Sequence, residues 1–304
     1  MQLSIRVSEH VIPKESNMRE ENSHHMNRFQ ETLYRFCKNK VSLIGVFIII
    51  VLIFVIIFAE QISPYDRGIK NNYKERLQGP SLNHPFGTDG YGRDIMTRVI
   101  HGAKYTMLIA FSSSILAQVI GSLIGAIASF YPKLDNILMR ILDIFQAIPS
   151  LLLALAIAAA LGTSIPNLII AMMIARVPGA ARSARAVTLP LVSQDHIEAA
   201  RSYGCNDFQL IFEHILPNAL GPIIVDFTIS LSSTTLQVSS LSYIGLGVQP
   251  PTPEWGVLLN EAREFMMTAP HTIIFPGLAI MFTSLAFNLV GDGLRDAIDP
   301  RLRD

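Results

Sequence analysis

The chain has 304 residues, half of them hydrophobic and 16% of them charged, and its 24 basic and 24 acidic side chains cancel at neutral pH. This composition lies well on the apolar side of a soluble protein of similar size and predicts an integral membrane protein. The zero net charge argues against a nucleic-acid partner, which would need a general basic field. The two cysteines, Cys37 and Cys205, are both predicted on the cytoplasmic side, so we expect reduced thiols and no disulfide.

The first third of the chain combines a polar tail with one membrane span. Residues 1–34 are mixed in charge and lack the hydrophobic core of a signal peptide, which predicts a flexible cytoplasmic tail. The uncharged run Val41–Ala59 is long enough to cross roughly 30 Å of hydrocarbon at about 1.5 Å per residue. We therefore expect residues 35–104 to form the first transmembrane helix and an external loop. Taken alone, the glycines and aspartate of residues 87–92 favour a tight turn, followed by a short interfacial helix from Ile95.

Residues 105–304 predict a core of five further transmembrane helices. These are expected at about Tyr105–Tyr131, Asn136–Leu161, Pro166–Pro178 or slightly beyond, Asn218–Ile244 and Thr272–Val290. The uncharged run 144–175 would overshoot the bilayer as one straight helix, and the turn residues 161–166 indicate a hairpin in its middle. In span two, the spacing of Gly121 and Gly125 is the pattern that lets helices pack closely. Six spans make an all-α integral membrane protein with both termini on one side.

The basic residues predict which side that is. They precede span one, occupy the loops after spans two and four, and follow span six, as expected of cytoplasmic segments. Loop 61–104 is the exception, since it is basic on the opposite side. It also carries four acidic residues and approaches the length at which the charge rule weakens. Both termini are therefore predicted to be cytoplasmic.

A charged island, residues 193–216, separates predicted spans four and five. Ser193 is a candidate N-cap for a short helix of about residues 194–203. Gly204 suits the left-handed backbone position that stops a helix, and Pro217 suits the start of the next one. A helix this short is unstable alone in water and gains most by docking. Its small alanine side chains would let a partner approach the backbone, so we expect it to bind a partner surface.

Polar residues in predicted span five recur at steps of four, three, four and three, which places them on one stripe of a helix. They are Asp226, Ser230, Ser233, Gln237 and Ser240. This stripe fits the wall of a hydrated pathway, with Leu231 and Val238 lying off it. A carboxylate at membrane depth is costly and faces water or protein interior. Asp226 is thus either a pathway group or, near the cytoplasmic end of the span, a hydrated carboxylate or a helix cap.

Several segments together resemble one family. They are EAARSYG at 198–204 with Leu-Pro at 216–217, HPFGTDGYGRD at 84–94, QPPTPEWG at 249–256 and GDGLRDAIDP at 291–300. They resemble the C-type permease subunit of dipeptide, oligopeptide and nickel importers, over about residues 35–304. His214 stands where the general importer pattern has Ile, and the run 214–218 is similar to the peptide branch. Taken alone, residues 249–253 indicate a stiff external linker and Trp255 an interfacial anchor.

The resemblance implies a type I ABC importer permease fold in the plasma (inner) membrane of a bacterium or archaeon. The partners it implies, beside the lipid bilayer, are a sister permease, two cytoplasmic ATPase subunits docked at residues 194–204, and an extracytoplasmic substrate-binding protein. The candidate ATPase-coupling residues are Glu198, Ala199, Ala200, Gly204, Leu216 and Pro217. The implied mechanism is alternating access, with peptides as the expected cargo and nickel as the alternative.

The chain lacks the Gly-x-x-x-x-Gly-Lys-[Ser/Thr] phosphate loop, so ATP and Mg are expected on the partner ATPases. No cofactor, metal site or catalytic residue is expected in this chain. Two other function classes find less support. An ion-coupled transporter would be built around Asp226, whereas an intramembrane enzyme finds neither Gly-x-Ser-x-Gly in a span nor His-Glu-x-x-His in the sequence.

Overall fold

The computed structural model describes residues 28–298, which are helical apart from connecting loops and one isolated β-bridge between Thr88 and Asp94. In chain order the α-helices are α1 Arg28–Lys38, α2 Lys40–Ile57, α3 Ala59–Ile62, α4 Asp66–Ile69, α5 Ile95–Phe130, α6 Pro132–Gln146, α7 Ser150–Leu161, α8 Ile165–Val192, α9 Asp195–Ser202, α10 Asp207–Gln209, α11 Leu216–Ile244, α12 Trp255–Ala262 and α13 His271–Ile298. The other helical turns are the 3-10 turns Tyr73–Glu75 and Arg263–Phe265 and the π-helical turn Leu210–Ile215, which joins α10 to α11. The predicted all-α class is confirmed for the described residues.

Four helical segments in this range are long and apolar enough to cross a membrane. They are Lys40–Ile57, Ile95–Phe130, Asp207–Ile244 and His271–Ile298. They coincide with predicted spans one, two, five and six. The pair α6 and α7 makes a fifth span if it is counted as one broken unit. The described residues therefore hold four or five candidate spans where the sequence predicted six.

The prediction of one continuous helix for span three is wrong. The chain breaks after Gln146, and α6 and α7 meet at an angle of 82°. Pro149 lies at the bend and has no N–H to continue the helical ladder, so α7 begins afresh at Ser150.

Span four is longer than predicted, because α8 continues from Ile165 through Pro178 and Pro190 to Val192. Three arginines lie inside this helix and lower its mean hydropathy: Arg176, Arg182 and Arg185.

The predicted interfacial helix before span two is also corrected. The segment from Ile95 is continuous with span two in the 36-residue helix α5. Asp94 caps its start, since a carboxylate oxygen accepts the N–H of Thr97 at 2.8 Å.

The predicted N-terminal tail is corrected as well. Helix α1 shows that the chain is helical from Arg28, contrary to the prediction of a flexible segment up to residue 34. The rest of that predicted tail lies outside the described residues.

Helices α5 and α8 form the central pair of the fold, and α11 packs against both. Gly121 and Gly125 of α5 face the alanines of α8, and a Cβ on Gly125 would come within 2.5 Å of the Ala181 carbonyl oxygen. The predicted close packing at these glycines is confirmed. Helix α13 packs on α11, and α2 packs on the outer side of α13.

Candidate functional site

The charged island forms helix α9 at the C-terminal end of α5, and its start differs from the prediction. Gln194 is the N-cap, while Ser193 ends α8 and donates its hydroxyl proton to the carbonyl oxygen of Pro190. The assignment of Ser193 as N-cap is therefore wrong, because α8 runs on to Val192. Gly204 has a φ of +90°, the left-handed conformation that the sequence predicted for the helix stop.

The next helix begins earlier than predicted. Asn206 and Gln209 form a reciprocal capping box that starts α10, at hydrogen-bond distances of 2.9 and 3.0 Å. Helix then continues through the π-helical turn into α11. Pro217 lies in the first turn of α11, as the sequence predicted, but the helical segment as a whole begins at Asp207. A proline cannot donate to the preceding turn, and an extra residue in that turn accommodates the missing bond.

The residues predicted for coupling divide into an exposed and an inward-facing group. Glu198, Ala199, Gly204 and Pro217 are exposed. Ala200 is buried and Leu216 is half-buried, because both pack into an apolar cluster beneath the segment. The expectation that Ala200 offers its backbone to a partner is therefore wrong.

This apolar cluster joins α9 to two long helices. It contains Ala126 and Phe130 of α5, Ile197 and Ala200 of α9, and Leu210, Ile211 and Ile215 of the π-helical turn. At its edge the hydroxyl of Tyr131 donates to Asp207 at 2.7 Å, and the Arg201 guanidinium lies over the Phe130 ring at 5.4 Å. A displacement of α9 would therefore be transmitted directly to the ends of α5 and α11.

Three exposed aromatic side chains surround α9. Tyr203 is 91% exposed, and Phe208 is exposed while stacked on Phe212 with ring centroids 4.4 Å apart. None of the three was predicted from the sequence, although aromatic residues in a short charged loop are a signal for an interface.

The predicted polar stripe lies along α11 at the border between its buried and exposed faces. Ser233 is exposed and the other four members are half-buried, while Leu231 and Val238 are buried. The hydroxyls of Ser230, Ser233 and Ser240 donate to carbonyl oxygens of their own helix.

Asp226 lies where α11 meets α5 and α8. Its carboxylate is beside Ser183 of α8 and Gln118 of α5, and the positive charge of Arg176 acts on it. Arg176 donates a hydrogen bond from Nη1 to the Ser233 hydroxyl at 3.3 Å. Sequence reasoning missed Arg176, although a charge in the last turn of predicted span four was the signal that could have identified it.

The opposite end of α5 carries a buried charge cluster, defined by Asp89, Arg93, Arg98 and Glu261. Asp89 accepts from Arg93 Nε and Arg98 Nη1 at 2.7 Å each. Glu261 accepts from Arg93 Nη2 at 2.9 Å and from Arg98 Nη1 at 2.6 Å. Although burial opposes the charged form, the two carboxylates raise the pKa of Arg93. This cluster joins loop 84–94 to the end of α12.

A second buried carboxylate, Glu254, holds the start of α12 against α5. It accepts from the N–H groups of Gly256 and Val257 at 2.8 and 3.2 Å and from the Thr106 hydroxyl at 2.9 Å. Burial raises the pKa of Glu254. The neighbouring Trp255 is buried and donates from Nε1 to the carbonyl oxygen of Val99 at 2.9 Å, so its interpretation as an interfacial anchor is wrong.

Comparison with protein families matches residues 117–304 to the binding-protein-dependent transport system inner membrane component family. Residues 27–80 match the N-terminal TM domain of oligopeptide transport permease C.

Curated relatives cover most of the chain. A dipeptide transport system permease protein of Alkalihalophilus pseudofirmus is 42% identical over 276 residues, which is 90% of each chain. A glutathione transport system permease protein of Escherichia coli is 45% identical over 270 residues, which is 88% of this chain and 89% of the relative. Among solved structures, an inward-facing form of the MetNI methionine ABC transporter aligns with a TM-score of 0.56. That alignment has 19% identity and covers 67% of this chain and 98% of the other, so it supports the fold alone.

Proposed function

Because the chain belongs to the family of binding-protein-dependent transport system inner membrane components, we propose that it forms, with a sister permease, the transmembrane pathway of a dipeptide or oligopeptide importer. The chain is a membrane-embedded transport subunit, and ATP hydrolysis is carried out by separate subunits. The observation that carries the peptide assignment is similarity along nearly the whole chain to permeases named for a dipeptide and for glutathione, itself a small peptide.

The exposed part of α9 supports a role in docking a cytoplasmic ATPase. Glu198 and Ala199 lie on its free side, and Gly204 shapes the turn that follows. Tyr203 and Phe208 add apolar surface with rings that lose little conformational freedom on binding. Ala200 and Leu216 support docking indirectly, because they pack into the apolar cluster and so fix the position of α9.

The transport cycle that fits this arrangement is alternating access. Closure of the ATPase pair moves α9, and the cluster at Phe130, Leu210 and Ile215 carries the displacement into α5 and α11. Since α11 carries the polar stripe, the same displacement opens the pathway to one side of the membrane or the other. In this scheme both termini are cytoplasmic, and cargo arrives from an extracytoplasmic binding protein.

The turn at Gly204 gives the sharpest test. Gly204→Val places a β-branched side chain where φ is positive, a misfit of about 1–3 kcal/mol. Among residues 28–298, no other atom lies within 4 Å of a Cβ built at Gly204, so the change acts through backbone conformation. We expect dialanine uptake by the complete complex, and retention of the ATPase subunits on purification, to fall while the permease still inserts.

Gly204→Asn is the matched control, because asparagine tolerates the left-handed conformation better than other residues. It should retain most uptake. Normal uptake and normal ATPase association with Gly204→Val would contradict the docking role. A complex that carries nickel but no dipeptide would contradict the cargo assignment and leave the docking role intact.

A further inference from the structure

Arg176 differs from the other arginines of α8 in how its charge is satisfied. Arg185 makes two hydrogen bonds of 2.5 Å to Asp135, and Arg182 is paired directly with Asp143. Within the described residues, Arg176 instead hydrogen-bonds the Ser233 hydroxyl, and the Asp226 charge reaches it only through space. A separated pair of opposite charges inside a membrane helix bundle is costly unless water or a ligand completes it.

Polar atoms without a hydrogen-bond partner also lie on α5, where this helix packs against α8 and α11. Gln118 is 6% exposed, and its amide nitrogen is buried beside Asp226 without a hydrogen-bond partner of good geometry in the described part of the chain. One turn further along α5, the buried hydroxyl of Ser122 also lacks a partner in that range. Buried polar atoms are nearly always hydrogen-bonded, so Gln118, whose side chain acts on Asp226, and Ser122 have capacity for a further polar partner such as water or a ligand.

We propose that Asp226, Gln118 and Arg176 form a cargo site for zwitterionic peptides, in which Asp226 takes the ammonium end and Arg176 the carboxylate end. The proposal rests on the peptide-import function proposed above. A dipeptide spans up to about 7 Å between its termini and can bridge two charges that do not touch each other. Carboxylate–ammonium and guanidinium–carboxylate contacts are charge-assisted hydrogen bonds, the strongest polar contacts available here.

The charge arrangement also selects against other cargo classes. A free divalent cation would be attracted by Asp226 and repelled by Arg176, so the pair favours a molecule that carries both signs. Gln118 can donate to a peptide carbonyl and accept from a peptide N–H, which suits the backbone between the two termini.

The first experiment measures local charge without cargo. Ser233→Cys is made in a chain carrying Cys37→Ser and Cys205→Ser, and the complete complex is treated with a cationic and an anionic methanethiosulfonate reagent of similar size. We expect Arg176→Gln to lower the ratio of anionic to cationic reaction rates severalfold, and Asp226→Asn to raise it. Arg182→Gln, on the same helix but already paired, should leave the ratio unchanged.

The second experiment measures transport. Arg176→Gln and Asp226→Asn should each lower the maximal rate of dialanine uptake by about tenfold, the effect of one lost charge-assisted hydrogen bond. The concentration of loaded binding protein that gives half-maximal uptake should not change, because the site lies in the membrane pathway. In the Cys37→Ser and Cys205→Ser background, dialanine should slow the labelling of Ser233→Cys, and it should fail to do so when Asp226→Asn is added.

The outcomes separate the two proposals. If the unaltered complex transports neither dialanine nor a longer neutral peptide, the peptide-import function is wrong. If it transports either one, but neither substitution changes the reagent ratio or the uptake rate, the cargo site is overturned and the import function stands. Absence of labelling at Ser233→Cys, with Leu231→Cys as the buried control, would also overturn it, because the site would then be closed to water.

Discussion

The two ends of α5 differ in whether the charged and polar side chains around them are buried and paired or exposed. At its start, Arg93 and Arg98 are 4% and 1% exposed and each pairs with Asp89 and Glu261 of the same chain. At its other end, Glu198 and Arg201 are exposed on a short helix, and the aromatic ring of Tyr203 is almost wholly in solvent. At the first end the charges are paired within the chain, although Nε and Nη2 of Arg98 have no hydrogen-bond partner among the described residues. The second end presents groups that only a partner could bury.

This difference separates two kinds of family signature. The charge cluster holds segment 84–94 to α5 and to the end of α12. Glu254 and Trp255 hold segment 249–256 to α5, so both segments stabilise the fold. The segment 198–204 makes its inward contacts through Ala200 and through Arg201 at the Phe130 ring, and it leaves Glu198, Ala199 and Tyr203 exposed. Substitutions at the first end should therefore act on stability, and substitutions at the second on association.

The charge cluster gives the largest expected effect. Arg98→Leu would leave Asp89 and Glu261 buried with one cation fewer, and breaking a buried ion pair in this way costs about 3–5 kcal/mol. We expect the thermal midpoint of the detergent-purified complex to fall by many degrees, measured by fluorescence-detected size exclusion after heating. Arg67→Leu in the short helix α4 is the control, since Arg67 is exposed. Equal midpoints for the two variants would show that the cluster does not hold the fold.

Glu254 gives an intermediate effect that depends on its protonation. Glu254→Ala removes the cap of α12 and several buried hydrogen bonds, at a cost of about 2–4 kcal/mol. Burial raises the pKa of Glu254 above its ordinary 4.5, so Glu254→Gln should cost under about 1 kcal/mol, because an amide reproduces the hydrogen bonds of the neutral acid. The exposed Glu264→Gln serves as the control and should change nothing.

The pH dependence of stability tests the same residue. The folded chain holds the Glu254 proton more tightly than the unfolded chain does, since the folded pKa is raised. The stability contributed by this proton is full below the unfolded value of about 4.5 and is lost as the pH rises through the folded pKa. Glu254→Gln should remove that part of the pH dependence of the thermal midpoint. If glutamine were as damaging as alanine, the ionised carboxylate would be the form that the fold needs.

The sequence predicted what depends on local pattern. Apolar runs located α2, α5, α11 and α13, and Gly204 was correctly expected to stop a helix. The break at Pro149 was not predicted from the sequence. Helix α8 accommodates Pro178 and Pro190, so the presence of a proline alone does not decide between a kink and a break.

Contacts between residues far apart in the sequence were not predicted either. Thr106 meets Glu254 across 148 residues, and Arg93 meets Glu261 across 168. The stripe of α11 could be read from its spacing, but its position opposite Gln118 and Arg176 depends on how three helices pack. Periodicity identifies a polar face and does not identify what that face meets.

The smallest expected effect on stability lies at Tyr203, where the comparison of the two ends is tested most directly. Tyr203→Ser removes a ring that is 91% exposed and should change the thermal midpoint very little, since surface substitutions are usually within about 0.5 kcal/mol. If α9 is the docking surface, the ring becomes buried against the ATPase, and its loss should lower retention of the ATPase subunits on purification and dialanine uptake severalfold. Leu82→Ser is the matched control, because Leu82 is fully exposed in the loop at the other end of α5. It should alter neither the midpoint nor ATPase retention. Retention that is unchanged by Tyr203→Ser, or reduced equally by Leu82→Ser, would show that exposure at the C-terminal end of α5 does not mark the ATPase-binding surface.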